Sequence, residues 1–317
     1  MICAITRSKE PRRIRFRTTL RTERAMAKAE PFQQSSDLAN HPVAGLASLT
    51  AVVALTLALL LGVPAIFGIL LADPTISELP GALLEGAFTL ATFTPMGLLA
   101  LLAIRFWRLP LPMGRTPALL GGTGLAMGVV GFALSVALCA IAGTASEGPP
   151  APQGIGLLLL EAALLLLQSG AEELTFRGWL QADLSRRWGR TPAVIVAAIT
   201  FAALHFVAAA SDPMSFVTML LGGLLFGFAY ARSGSFLMAW MIHFGWNSAE
   251  ELLFGLYPNP GSGTFGTLIN IDLRGAELWG GGPEGLNASI AAVVVLIALL
   301  VVTIIWPTAE PAKARKG

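Results

Sequence analysis

IGLLLLEAALLLLQSGAEELTFRG, residues 155–178, is the stretch whose reading decides the fold. It opens as an apolar run of the length that spans ~30 Å of hydrocarbon, and it ends on Glu172, Glu173 and Arg177. At bilayer depth an ionisable side chain costs roughly 2.5–3.5 kcal/mol on insertion scales. Such a group persists where it pairs, lines a wet cavity or does chemistry. Seven further apolar runs flank this one, at 44–71, 81–104, 118–143, 192–210, 214–231, 236–255 and 288–306. Asp73-Pro74, the Pro-rich stretch 109–117, 148–152, Asp212-Pro213 and Ser233-Gly234 punctuate them.

The predicted fold is therefore all-α, a polytopic membrane bundle of about eight transmembrane helices. The composition agrees: 55% hydrophobic residues against 13% charged, with a mean hydropathy of +0.70, describes mostly lipid-facing surface. No boundary interrupts residues 43–307, read as one membrane-embedded domain with its motif core at 155–254. The Gly-rich connection 257–287 is read as an extramembrane loop. Cys3 and Cys139 form neither a disulfide framework nor a CxxC pair.

A net charge of +2 says little until the charges are placed along the chain. Arg and Lys fall in the N-terminal tail, in the second connection (Arg105, Arg108, Arg115), the fourth (Arg186, Arg187, Arg190), the sixth (Arg232) and the C-terminal tail. The odd-numbered connections hold acids, with Arg274 their only base. Eight spans with both termini cytoplasmic satisfy this alternation, and seven or nine do not. Residues 1–42 read as a basic cytoplasmic tail and 308–317 as a short one. Up to Ala25 the first carries eight bases, two acids and no apolar core, so it is not a cleavable signal; it is either a polybasic segment near anionic headgroups or lies upstream of a start at Met26.

Within the spans the polar residues form a pattern. Glu173 and Arg177, at i,i+4, share a helix face and can neutralise each other, while Glu172 projects ~100° away. Phe201 and His205 share a face of the fifth span, and His243 and Asn247 a face of the seventh. Each taken singly has a plain explanation: an interfacial turn for Glu-Glu-x3-Arg, an interhelical hydrogen bond for a lone His or Asn. Together they place a spare carboxylate, two imidazoles and a carboxamide on three helices that could converge in one cavity, ~10–20 Å from the cytoplasmic ends at 1.5 Å per residue. Glu85, Glu161, Glu250 and Glu251 are read as structural or interfacial.

The blocks Glu172-Glu173-x3-Arg177, Phe201-x3-His205 and His243-x3-Asn247, in this order, resemble the signature of the CPBP family. That family joins type II CaaX prenyl proteases with bacteriocin-processing and immunity-type membrane proteins, the ABI or lysostaphin-resistance-like domain. The resemblance covers residues 155–254 and implies an intramembrane endopeptidase. Glu172 and His205 would activate a water, His243 and Asn247 would stabilise the oxyanion, and Glu173, Arg177 and Phe201 would support them. The implied partners are a membrane-associated protein or peptide substrate and the lipid bilayer, with no nucleic acid. The implied location is a multi-pass protein of a bacterial plasma membrane.

Metal use has two readings. Zinc on Glu172, His205 and His243 would leave an open position, but the chain lacks HExxH and no separate base would remain except Glu173, so no cofactor is expected. Two other classes stay open: a proton- or ion-coupled transporter, disfavoured because the first three spans carry no second copy of the motifs, and a non-catalytic immunity or scaffold protein.

Overall fold

Eight apolar helices follow one another along the chain where the runs predict them. The computed structural model describes residues 42–148, 154–208, 212–256 and 265–305. Apart from Pro42, the tails expected at 1–42 and 308–317 lie outside these residues. Contacts divide the chain into Met1–Ala44 and Gly45–Gly317, and the second unit carries everything below.

Six helices are long and apolar enough to cross a membrane: α1 (Pro42–Leu70), α2 (Gly81–Phe106), α3 (Pro117–Ile141), α4 (Ile155–Trp188), α5 (Arg190–Ala208) and α6 (Pro213–Ser233). The other two expected spans are shorter helices. α7 (Phe236–Ser248) runs on as a π-helix over Ala249–Leu253, and α8 covers Ile290–Ile305. Large apolar side chains such as Ile69, Leu102, Ile141 and Ile305 stand on the outside of the helices, the side that lipid would wet.

The turn residues do what their chemistry dictates. Asp212 caps α6 by accepting the Met214 N–H, with Pro213 in the first helical position where its missing N–H costs nothing. Gly234 stops α6 in the left-handed region at φ 61°, and Ser235 at once caps α7 by accepting the Met238 N–H. Hence α6 and α7 are joined by two residues and run antiparallel.

α4 departs from expectation. It passes residue 178, is π-helical over Leu174–Gln181 and becomes α-helical again over Ala182–Trp188. The extension survives burial because its charges are paired. Asp183, fully buried, accepts from Arg186, Arg187 and the Ser48 hydroxyl of α1.

Sidedness is visible in contacts between connections. β1 (Ala145–Glu147), after α3, pairs antiparallel with β2 (Ile271–Leu273), before α8. The Asp212 N–H donates to Glu284 across 2.8 Å. At the other end Ser235 bridges Met113, and the Tyr230 hydroxyl donates to the Pro110 carbonyl. Odd connections thus meet odd and even meet even, as alternating crossings require. The stretch read as an extramembrane loop is more than that, since Phe265, Thr267 and Leu286 are buried and Glu284 and Asn287 reach a cavity inside the bundle.

The tightest helix pair is α3 with α7. Gly121, Gly124 and Gly128 form a small-residue stripe on α3 that lets the α7 backbone approach. A Cβ on Gly128 would lie 2.3 Å from the Ile242 carbonyl oxygen, and one on Gly245 would lie 2.6 Å from that of Leu125. This contact sets the position of the helix that carries His243 and Asn247.

Candidate active site

Small residues precede the glutamates on α4 and bring its neighbours close. Ala171 packs on Gly97 of α2, and Gly170 leaves room for the Trp240 ring of α7, whose Nε1–H donates to the Leu166 carbonyl and the Ser169 hydroxyl. Glu172 and Glu173 therefore emerge into a packed interior. Both are buried.

Glu173 is held from two sides. Arg177, itself fully buried, donates to Glu173 Oε1 at 2.8 Å, which is the expected i,i+4 ion pair, and donates with Nη2 to the Gly223 carbonyl at 2.9 Å. The guanidinium also lies over the rings of Phe201 and Phe226, 5.0 and 5.1 Å from their centroids. One turn on, Gln181 donates to the Gly227 carbonyl, so two side chains of α4 clamp the backbone of α6.

The same Glu173 oxygen lies 3.0 Å from His243 Nδ1. A carboxylate that already accepts from Arg177 is the acceptor here too, so His243 Nδ1 carries a hydrogen and Nε2 faces the other glutamate. Glu172 Oε2 is 3.8 Å from His243 Nε2 and 3.6 Å from His205 Nε2. His205 is fixed in the same manner: its Nδ1 sits 2.9 Å from the Phe201 carbonyl, which can only accept, and this turns the Nε2 lone pair toward Glu172. Phe201 stacks tilted on His205 at 4.1 Å, and Phe226 stacks on His243 at 4.6 Å with planes 14° apart.

Glu172, Phe201, His205, His243 and Asn247 line a single cavity of about 130 Å³, room for several water molecules. Two buried oxygens that line it, Glu172 Oε2 and Ser215 Oγ, have no hydrogen-bond partner among the described residues. A carboxylate oxygen in that position calls for a donor, which water or a substrate would supply. Among the described residues, no group of three or more His, Cys, Asp or Glu side chains is arranged to hold a metal ion.

The structure thus brings the three motif blocks together on α4, α5 and α7, and it adds residues the sequence did not mark. Phe226 sits in an apolar run that offers no signal. Glu161, Glu250 and Glu251, read as structural or interfacial, are all buried, so the interfacial option falls for these three; Glu250 lines the cavity with Glu284 and Asn287. Their burial follows from the π-helix at Ala249–Leu253 and from the folding-back of the last connection, neither of which periodicity reveals. The cavity wall also reaches Ser215 and Glu284, near the odd-numbered connections, so it extends beyond the zone expected near the even ones.

Residues 154–249 match the family described as Rce1-like, type II CAAX prenyl endopeptidase. The match runs from the start of α4 into the π-helix that follows α7, and it supports the resemblance to the CPBP family drawn from the three motif blocks. No curated protein and no solved structure matches the chain.

Proposed function

We propose that the cavity hydrolyses a peptide bond in a membrane-associated protein or peptide, with Glu172 and His205 activating water and His243 and Asn247 stabilising the oxyanion. The observation that carries the reading is the lone Glu172 Oε2, buried between two imidazole Nε2 atoms. A water held by this oxygen gives up a proton to Glu172, assisted by the outward lone pair of His205, as its oxygen attacks the carbonyl carbon. The proton then passes to the leaving nitrogen, the C–N bond breaks, and a carboxylic acid and an amine result.

The oxyanion donors follow from the same geometry. With Nδ1–H committed to Glu173, His243 donates through Nε2 only as an imidazolium, and the Glu173 carboxylate at Nδ1 compensates that charge. Asn247 supplies a neutral donor on the same cavity wall. A donor of this kind is worth up to ~3–4 kcal/mol of barrier.

The mechanism is proposed without a metal. Both Nδ1 atoms have protein partners, and Glu173, the carboxylate next to Glu172, is engaged by Arg177 and His243 and so is not free to serve as base beside a zinc on Glu172. The proposed location is a bacterial plasma membrane.

Detergent-purified protein offered a panel of membrane-tethered peptides, some C-terminally prenylated, tests the reading. Cleavage is expected from wild type, with a loss of roughly 10²–10⁴-fold in Glu172→Gln, and is expected to survive a strong chelator. Equal activity in Glu172→Gln would overturn the assignment. Loss in chelator with recovery on adding zinc would replace the mechanism by the metal one.

A further inference from the structure

One buried carboxylate of the cavity plays no part in this reaction. Glu250 lies three residues past Asn247 in the π-helix after α7, is 4% exposed and lines the cavity. Among the described residues no hydrogen bond or ion pair ends on its carboxylate, and the next residue in the chain, Glu251, is another acid. The lining holds Glu172, Glu250 and Glu284 but neither Lys nor Arg. Arg177, the buried cation of the region, is engaged by Glu173 and the Gly223 carbonyl and does not line the cavity.

A carboxylate removed from water without a counter-charge beside it is costly, and among the described residues no Lys or Arg lines the cavity to supply one. The cost disappears if the occupant of the cavity brings the cation. We infer that the Glu250 end of the cavity is a subsite for a cationic group beside the scissile bond, a Lys or Arg side chain or a free amino terminus. This inference rests on the reading of the site as an endopeptidase and narrows its substrates. The same lining disfavours a peptide held by its terminal carboxylate, which would meet three glutamates and neither Lys nor Arg, the His243 imidazolium being already engaged by Glu173.

Binding to a protein that does not turn over separates the two readings. Fluorescent apolar peptides with blocked ends, identical except for Lys or Gln next to the intended bond, are titrated onto detergent-solubilised Glu172→Gln, and a third peptide has a free amino terminus in place of the Lys. The Lys peptide, the amino-terminal one or both are expected to bind about tenfold tighter than the Gln twin, and which of them does identifies the source of the cation. In Glu172→Gln/Glu250→Gln the advantage is expected to shrink to about twofold or less. Glu284→Gln in the same background reduces it by a second route that does not touch the π-helix.

Equal binding of all three peptides with Glu250 intact, or tighter binding of a free C-terminal carboxylate than of its amide, would overturn the subsite. A cationic preference that persists while wild type cleaves nothing would sink the endopeptidase reading and leave the subsite standing. Cleavage by wild type without a cationic preference would do the opposite.

Discussion

Glu172 and Glu173 are adjacent in the chain and have opposite jobs, which the fate of their oxygens makes clear. Glu173 Oε1 is shared by Arg177 and His243, whereas Glu172 Oε2 has no hydrogen-bond partner. Replacing either with Gln preserves shape, so the two variants differ through charge alone. In Glu173→Gln the fully buried Arg177 loses its ion pair, and breaking a buried pair by removing one partner costs ~3–5 kcal/mol. Glu173→Gln is therefore expected to lower the thermal unfolding midpoint by many degrees in detergent, while Glu172→Gln leaves it near wild type and removes activity. Similar midpoints for the two would show that Glu173 is not the structural anchor. At this scale the sequence was legible where a pair obeys i,i+4 spacing, as with Glu173 and Arg177. It was illegible where a contact joins distant residues: nothing in the chain announces that Glu173 reaches His243, or that Phe226 covers its ring.

Helix identity was legible because an apolar run of ~20 residues has few other stable forms in lipid. Helix ends and pitch were not. α4 and α7 become π-helical just past Glu173 and Asn247, at Leu174 and at Ala249, a distortion common at functional sites and without a sequence period of its own. The glycine stripe of α3 is a further element-scale feature. Gly124-x3-Gly128 touches the backbone of α7, and backbone cannot step aside as a side chain can. Gly128→Ala is expected to destabilise the protein by ~1–3 kcal/mol through overpacking and to lower activity by displacing His243 and Asn247. Gly122→Ala, on the same helix with nothing within 4 Å, is the control. There the better helix propensity of Ala adds up to ~1 kcal/mol. Denaturation of the two variants side by side checks the pair, and equal effects would mean that α3 and α7 do not pack as closely as described.

For the molecule as a whole, the open quantity is which face of the membrane the cavity serves. The β1–β2 pairing and the Asp212–Glu284 hydrogen bond put the third, fifth and seventh connections on one side, and the Met113–Ser235 bridge puts the second and sixth on the other. Three-residue strands are too short to carry a period, so the charge pattern alone had to supply this parity from sequence, and the contacts agree with it. Arg105, Arg108, Arg115, Arg186, Arg187, Arg190 and Arg232 lie toward the even side, while Arg274 on the odd side pairs with Asp272. Bases in short loops stay in the cytoplasm, so the odd side is expected to face away from it. With Cys3 replaced by Ser and Cys139 by Ala, single cysteines at Leu278 and Arg115, both exposed, report the two sides. A membrane-impermeant maleimide on intact cells is expected to label Leu278→Cys at once and Arg115→Cys only after permeabilisation. Because Ser215, Glu250, Glu284 and Asn287 carry the cavity wall toward the odd end, that result would mean that polar segments of a substrate arrive from the non-cytoplasmic side. The reverse labelling would turn the bundle over, and the same wall would then open the site to cytoplasmic chains.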